Sequence, residues 1–201
     1  GAGILCLALS TVLTGGLHLD GLADVFDSFG GHSREKKLEI MKDPRVGSFG
    51  VMALCIVMLM KFTAITLLAG MPQWRLLIVP FVLSRTAQVG VIVALPYARK
   101  EDGTGRKFVE DADINHLTIA LLVGIGMALL VSPVWGLIMS AVAAAIVFLL
   151  VLWMRRVFGG VTGDLVGMTS EVVETALLML VAMCNAGHFR IVEKVLWRMH
   201  A

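Results

Sequence analysis

Six long apolar segments divide this 201-residue chain, and each is close to the roughly 20 residues with which an α-helix crosses a bilayer. They cover about 1–19, 49–69, 76–95, 117–131, 135–154 and 172–186. Only 16% of the residues are charged, against about 25% in a typical soluble domain. The sequence therefore predicts an all-α, polytopic membrane helical bundle of about six transmembrane helices, forming one domain over residues 1–201 in a lipid bilayer. Because the chain is apolar from Gly1 onward, we expect further membrane sequence before it.

Hydrophilic loops near 20–48, 96–116 and 154–171 carry most of the lysine and arginine residues. The positive-inside rule therefore predicts that these loops face the cytoplasm. Three basic residues of the tail, Arg190, Lys194 and Arg198, conflict with six crossings. Either the tail is an interfacial helix or the number of crossings is wrong by one. A membrane chain with a net charge of only +2 is not expected to bind nucleic acid.

Three aspartates follow the first apolar segment at helical spacing. Asp20, Asp24 and Asp27 share one face of a helix, where like charges repel one another unless a cation lies among them. Carboxylate oxygens are the preferred ligands of hard divalent cations, so this face predicts a metal site. His18 falls on nearly the opposite side of the same helix and is a weaker candidate, unless the helix breaks at the glycines 15–16.

A second acidic stretch begins with the glycine-rich turn 159–163 and continues through Asp164, Glu171 and Glu174. Free backbone N–H groups at a glycine-rich helix start favour an anion such as phosphate, which makes Gly163 a candidate phosphate contact. Asp164 and Glu171 share a helix face. Two acidic elements on one side of the membrane predict a site for two cations.

Four basic residues are candidate phosphate contacts. Lys42 and Arg45 precede the second apolar segment, while Lys61 and Arg85 lie inside the second and third segments. Ionisable groups at membrane depth are costly and usually face a polar interior, so we expect Arg85 to be functional or to pair with a carboxylate. The loop 96–108, with its glycines and basic residues, is either a phosphate-contacting flap or a plain connector.

Together these motifs resemble the cobalamin synthase family, the adenosylcobinamide-GDP ribazoletransferases. The matching stretches are 15–24, 38–43 with Arg45 and Gly47, Ser84-Arg85, 103–108, and 159–167 with Glu171 and Glu174. They follow the family order and cover essentially the whole chain. The resemblance implies a Mg²⁺-dependent transferase of the prokaryotic cytoplasmic (inner) membrane, with its active site on the cytoplasmic side. The implied partners are adenosylcobinamide-GDP and α-ribazole or its phosphate. The oligomeric state stays open, with a homo-oligomer as one option.

The implied reaction is attack by the 3′-hydroxyl of α-ribazole on the phosphate carried by cobinamide, with GMP leaving. The resulting hypothesis assigns Mg²⁺ to Asp20, Asp24, Asp164 and Glu174. Asp27 would bind metal or act as general base, Glu171 would complete the second metal shell or accept the hydroxyl proton, and His18 is a further catalytic candidate. The phosphate contacts would come from Lys42, Arg45, Arg85, Lys61 and Gly163.

Three other functions fit parts of the pattern. A CDP-alcohol phosphotransferase also uses aspartates at helix ends, but its motif continues from Asp-Gly to Ala-Arg, whereas Asp20-Gly21 is followed here by Leu-Ala-Asp. A prenyl-diphosphate transferase needs two aspartate-rich motifs, which are only loosely present. An ion-coupled transporter would carry its carboxylates near the bilayer midplane, at broken helices.

Overall fold

The computed structural model describes residues 1–99 and 105–200, with side chains except those of Ala2 and residues 186–200. This part is helical and contains no strand, only an isolated bridge between Tyr97 and Val161. The helices are α1 (Ala2–Leu13), α2 (Leu17–Asp27), α3 (Arg34–Ile40), α4 (Ser48–Ala69), α5 (Ile78–Ala94), α6 (Arg106–Glu110), α7 (Ile114–Val131), α8 (Pro133–Val157) and α9 (Gly163–His200). The all-α fold class is confirmed.

Five helical stretches in the described residues are long and apolar enough to cross a membrane. They are Ser48–Ala69, Trp74–Ala94, Ile114–Val131, Pro133–Val157 and Gly163–Asn185. The sequence predicted each of them, which agrees with an integral membrane protein. A sixth crossing exists only if the bent pair α1–α2 forms one span.

The first apolar segment is not the single helix over 1–19 that the sequence predicted. The axes of α1 and α2 meet at 86°. The break falls at Gly15 and Gly16, whose φ angles of 59° and 72° lie in the left-handed region. Because glycine enters this region without steric penalty, the pair ends one helix and starts another in a new direction. Leu17–Asp27 thereby becomes a separate helix that carries all three aspartates.

The last long helix begins nine residues earlier than the predicted segment 172–186. It starts at Gly163, where the Thr162 hydroxyl accepts a hydrogen bond from the Leu165 amide at 3.3 Å. The prediction of a loop over 154–171 is therefore wrong. Only the short connection between α8 and α9 remains of it. Polarity had suggested a loop, but here the polar residues lie within a helix. As a result, Glu171 and Glu174 lie within a span and not in a cytoplasmic loop.

Helix α9 is the centre of the bundle. In its membrane span 72% is buried inside the protein, compared with 11% for α7. Helices α2, α4, α5 and α8 pack around it. The helix continues to His200, so the backbone of the basic tail is continuous with that of α9. The side chains of Arg190, Lys194 and Arg198, on which the tail conflict depends, lie outside the described residues, as does the beginning of the motif 103–108.

Candidate active site

The acidic end of α2 lies against the beginning of α9. A Cβ added to Gly21 would lie 2.6 Å from the carbonyl oxygen of Asp164, so only glycine allows the two backbones to come so close. This approach gathers Asp20, Asp24 and Asp164, which we call the aspartate cluster. Asp24 is half-buried, and the negative charges of Asp20, Asp164 and Asp27 repel its carboxylate. The cluster is therefore a region of concentrated negative charge.

Two side chains hold Asp164, which lies in the first turn of α9. Its Oδ2 atom accepts hydrogen bonds from Nη2 of Arg99 at 2.7 Å and from the Thr162 hydroxyl at 3.3 Å. The Arg99 side chain is only 16% exposed, and its Nε atom is buried without a hydrogen-bond partner among the described residues. Arg99 thus brings one positive charge into the aspartate cluster and keeps one donor for another acceptor.

Gly163, the predicted phosphate contact, is the first residue of α9. Among the described residues, no atom outside its own turn lies within 4 Å of the position that a Cβ would take there, so they leave space beside the helix start. The turn before it contains Gly159, whose φ of 69° lies in the left-handed region. An anion can approach the N–H groups of this helix end, which also carry the positive end of the helix dipole.

Asp27 serves a different purpose from the other two aspartates of α2. Its two carboxylate oxygens accept hydrogen bonds from the backbone N–H groups of Gly47 and Gly50, at 2.7 and 2.8 Å. Those glycines begin α4, so the carboxylate satisfies N–H groups that a helix start leaves without partners. In this arrangement Asp27 links α2 to α4 with one hydrogen bond to each carboxylate oxygen, and its predicted role as metal ligand or general base stays a prediction.

Four charged residues form a second group, the buried charge cluster, inside the spans. Nζ of Lys61 lies 2.8 Å from Glu171 and 2.5 Å from Glu174, and all three side chains are at most 5% exposed. Arg85 completes the group, with its guanidinium 3.8 Å from Glu174 and hydrogen-bonded to Ser170. The expectation that Arg85 pairs with a carboxylate is confirmed. Two positive charges thus balance two negative charges, although the Arg85 side chain is 38% exposed and only the other three are buried.

The two clusters are separated along α9. At about 1.5 Å per residue, Glu171 and Glu174 lie roughly 10 and 15 Å along the helix from Asp164. The structure therefore does not bring Glu174 together with the three aspartates as a metal ligand. Glu171 is likewise bound to Lys61. Lys61 and Arg85 also have carboxylate partners, and their predicted role as phosphate contacts stays a prediction.

His18 lies on the side of α2 that faces α5 and α9. Its Nε2 atom is 3.0 Å from the Gln88 amide nitrogen, which also approaches the carbonyl oxygen of Val166 at 3.4 Å. The Nδ1 atom of His18 is buried and has no hydrogen-bond partner in the described part of the chain. The sequence correctly set His18 apart from the aspartates, and the structure adds Gln88 as its neighbour.

The two remaining basic candidates lie near the loop that precedes α4. Arg45 is exposed and forms two side-chain hydrogen bonds with Asp43, at 2.9 and 2.6 Å, which lower the pKa of that carboxyl group to about 2. Lys42 lines a surface cavity of about 520 Å³ together with Arg34 and Arg99. The glutamates Glu35 and Glu39 also line this cavity, and Arg99 connects it to the aspartate cluster.

The donor atoms of the aspartate cluster fit a hard divalent cation. Carboxylate oxygens are the ligands that Mg²⁺ prefers, and a cation would relieve the repulsion on Asp24. Among the described residues, however, no three acidic, histidine or cysteine side chains converge closely enough to hold a metal ion as they stand. Binding would require the side chains of Asp20, Asp24 and Asp164 to turn toward one another.

Comparison with known proteins identifies the family. The model of the cobalamin-5-phosphate synthase family matches residues 1–182. The chain belongs to this family. One relative, the adenosylcobinamide-GDP ribazoletransferase of Chlorobaculum tepidum, is 44% identical over 193 residues, which cover 94% of this chain and 76% of the relative. The proteins of the same name from Syntrophobacter fumaroxidans and Acetivibrio thermocellus are 43% and 36% identical, covering 87% and 89% of this chain and 71% and 72% of theirs.

No solved structure matches the chain. Membership of the cobalamin-5-phosphate synthase family makes this protein a transferase that acts in the assembly of the cobalamin nucleotide loop. The match includes both acidic motifs, so the aspartate cluster belongs to the part of the chain shared with the family.

Sequence reasoning missed three residues that the structure brings to the site: Arg99, Thr162 and Gln88. Gln88 is a polar side chain within a span, three residues after Arg85. Because polar residues at membrane depth usually have a role, its position alone could have identified it. Arg99 lies in the loop 96–108, which the sequence marked as a candidate flap. Thr162 gives no signal of its own, because its role depends on where α9 begins.

Proposed function

We propose that this protein joins adenosylcobinamide-GDP to α-ribazole, or to α-ribazole 5′-phosphate, and releases GMP in a reaction that needs Mg²⁺. The observation that carries the proposal is the aspartate cluster, where α2 and α9 bring three carboxylates and Arg99 to one end of the bundle. The names of the relatives supply the first substrate. The product is adenosylcobalamin or its 5′-phosphate.

The reaction exchanges the phosphoanhydride bond of the diphosphate for a phosphate ester bond. The 3′-hydroxyl oxygen forms a bond to the phosphorus attached to cobinamide, the bond from that phosphorus to the bridging oxygen breaks, and GMP leaves with that oxygen. A carboxylate must accept the hydroxyl proton. Asp20 is the exposed member of the aspartate cluster, so a substrate hydroxyl most easily reaches the Asp20 carboxylate oxygen that does not hold the metal.

The remaining residues bind and orient the diphosphate. Nε of Arg99 is a donor for a phosphate oxygen, and the N–H groups at the start of α9 offer a second contact beside Gly163. Asp20, Asp24 and Asp164 would hold Mg²⁺, which when bound neutralises charge on a diphosphate. Holding the two substrates in line supplies a large part of the rate in phosphoryl transfer.

We further propose that this end of the bundle faces the cytoplasm across the inner membrane. The long loops around the site carry basic residues, and the positive-inside rule favours that orientation. A water-soluble nucleotide would then reach the site from the cytoplasm and GMP would return to it.

The transporter alternative has one feature in its favour, since Glu171 and Glu174 are buried within a span. Their charges are balanced by Lys61 and Arg85. The cavity beside them has a volume of only about 10 Å³, which holds at most one water molecule. This space does not suit a transported ion with a hydration shell.

The test is GMP release by the purified protein in detergent, with adenosylcobinamide-GDP, α-ribazole and either Mg²⁺ or EDTA. We expect GMP to appear only with both substrates and Mg²⁺. Asp24→Asn should reduce the rate by at least 100-fold (on the order of two decades for an electrostatic group at a reacting centre). The control is Asp111→Asn, an exposed aspartate outside the cluster. No GMP release by the wild-type protein, or a near wild-type rate for Asp24→Asn, would contradict the proposal.

A further inference from the structure

A cavity of about 290 Å³ opens between α2, α5, α6 and α9, beside the aspartate cluster. Its walls are mainly apolar side chains and glycines, and two polar side chains lie among them. The lining residues include Ile92, Val166, Gly163, Gly167, His18 and Gln88. Gly163 is the chain neighbour of Asp164, so the cavity adjoins the carboxylates at which phosphoryl transfer is proposed.

One close approach borders the cavity. A Cβ on Gly167 would lie 3.1 Å from Cα of His18, so α2 and α9 touch backbone to backbone there. At Gly163 the described residues place no atom within 4 Å of the same position, apart from its own neighbours in the helix. The cavity therefore lies beside a tight helix contact at Gly167 and an uncrowded position next to Asp164.

The two polar side chains in the wall, His18 and Gln88, form a hydrogen bond with a defined direction. The carbonyl oxygen of Val166 can only accept, so the Gln88 amide nitrogen that approaches it is a donor. The same amide nitrogen then donates to Nε2 of His18. A neutral imidazole that accepts at Nε2 carries its proton on Nδ1, and this atom is buried without a partner among the described residues. His18 thus carries one donor without a partner among the described residues, and the ring would have to turn for Nδ1 to meet a ligand acceptor in the cavity.

We propose that this cavity binds the aromatic base of the nucleoside substrate and so directs its ribose toward the aspartate cluster. The inference rests on the proposed function and names the residues that recognise the attacking substrate. The base of α-ribazole is a benzimidazole, a flat, apolar bicycle with one ring nitrogen that accepts a hydrogen bond, and it suits mainly apolar walls that include His18 and Gln88. A cavity near the lower end of the roughly 300–1,000 Å³ range of ligand pockets suits such a ring and excludes a corrin.

Filling the cavity tests the proposal. Ile92→Trp puts a large side chain into the space, whereas Ile119→Trp makes the same change on α7, where the isoleucine is 61% exposed. We expect Ile92→Trp to raise the KM for α-ribazole about 10-fold or more, as loss of an apolar contact in a specific pocket does. The KM for adenosylcobinamide-GDP should stay within about 2-fold, and Ile119→Trp should change neither constant.

Gln88→Leu keeps a similar shape and removes the donor to His18. We expect a rise of about 5-fold in the KM for α-ribazole, the effect of one neutral hydrogen bond. Binding of α-ribazole alone, followed by equilibrium dialysis, should weaken by the same factors, so the readout does not depend on turnover.

The outcomes separate the two proposals. An active wild-type protein in which Ile92→Trp leaves the KM for α-ribazole unchanged, or raises both KM values equally, overturns the cavity assignment. A wild-type protein that binds α-ribazole at the cavity but releases no GMP would instead overturn the proposed reaction. If dialysis shows that Ile92→Trp binds α-ribazole as tightly as the wild type, the cavity holds something else, such as a lipid chain, and the assignment is wrong.

Discussion

Replacing Lys61 by methionine should destabilise the protein more than any other change of one charge in the spans. The substitution leaves Glu171 and Glu174, at 5% and 1% side-chain exposure, with Arg85 as the only described cation beside them. Removing one partner of a buried ion pair costs about 3–5 kcal/mol, because the remaining charge stays desolvated. For a chain of this size, each kcal/mol shifts the Tm by about 2–4 °C, so we expect a fall of roughly 10 °C. Tryptophan fluorescence of the purified protein during heating in detergent measures it.

A second substitution tests whether charge balance is the cause. Lys61→Met combined with Glu171→Gln leaves Arg85 and Glu174 as one remaining pair, so the net charge of the buried cluster returns to zero. We expect the double variant to recover at least about 1 kcal/mol relative to Lys61→Met, a coupling of the size found for contacting residues. Leu59→Met, on the exposed side of the same helix, controls for the substitution itself. Additive losses in the double variant would refute the reasoning.

The aspartates of α2 should respond differently to loss of charge. Asp24→Asn should raise the Tm measured in EDTA, because it removes a carboxylate that its neighbours repel, and it should abolish the rise in Tm that Mg²⁺ gives the wild type. Asp27→Asn should lower the Tm by the equivalent of about 1–3 kcal/mol, because an amide NH₂ group then faces a backbone N–H donor; an unchanged Tm would contradict this. Gly21→Val should abolish GMP release, since its Cβ would displace the backbone of Asp164, while Gly126→Val, with open space around it, should retain it.

The helices could be predicted from the sequence because hydropathy acts locally. The segments 49–69, 76–95, 117–131 and 135–154 each became a helix within a few residues, since a chain in lipid must satisfy its own backbone hydrogen bonds. The prediction of a loop was wrong where polar residues lie within a helix. Residues 163–171 are polar and glycine-rich, yet they form the first turns of α9. There the polar side chains face carboxylates and cations inside the protein and not water.

Contacts between distant residues could not be predicted, since they depend on helix positions that no local pattern encodes. The spacing of Glu171 from Asp164 placed both on one face, but the same spacing also separates them by about 10 Å, which a helical wheel does not display. Lys61 was visible as a costly residue in a span, and its partners on α9 were not. Likewise, the aspartates of α2 looked alike until the backbone N–H groups of α4 distinguished Asp27.

The two clusters have opposite effects on the packing of α2 against α9. The aspartate cluster requires like charges to stay close together, which by itself would drive α2 and α9 apart. The buried charge cluster opposes this, because Lys61 of α4 and Arg85 of α5 both bind carboxylates on α9. Asp27 then links α2 to the start of α4, so α2 and α9 are both held through α4. Such a framework holds the backbones of α2 and α9 together before substrate arrives, so that only the side chains of the aspartate cluster have to turn, and preorganisation of this kind favours phosphoryl transfer.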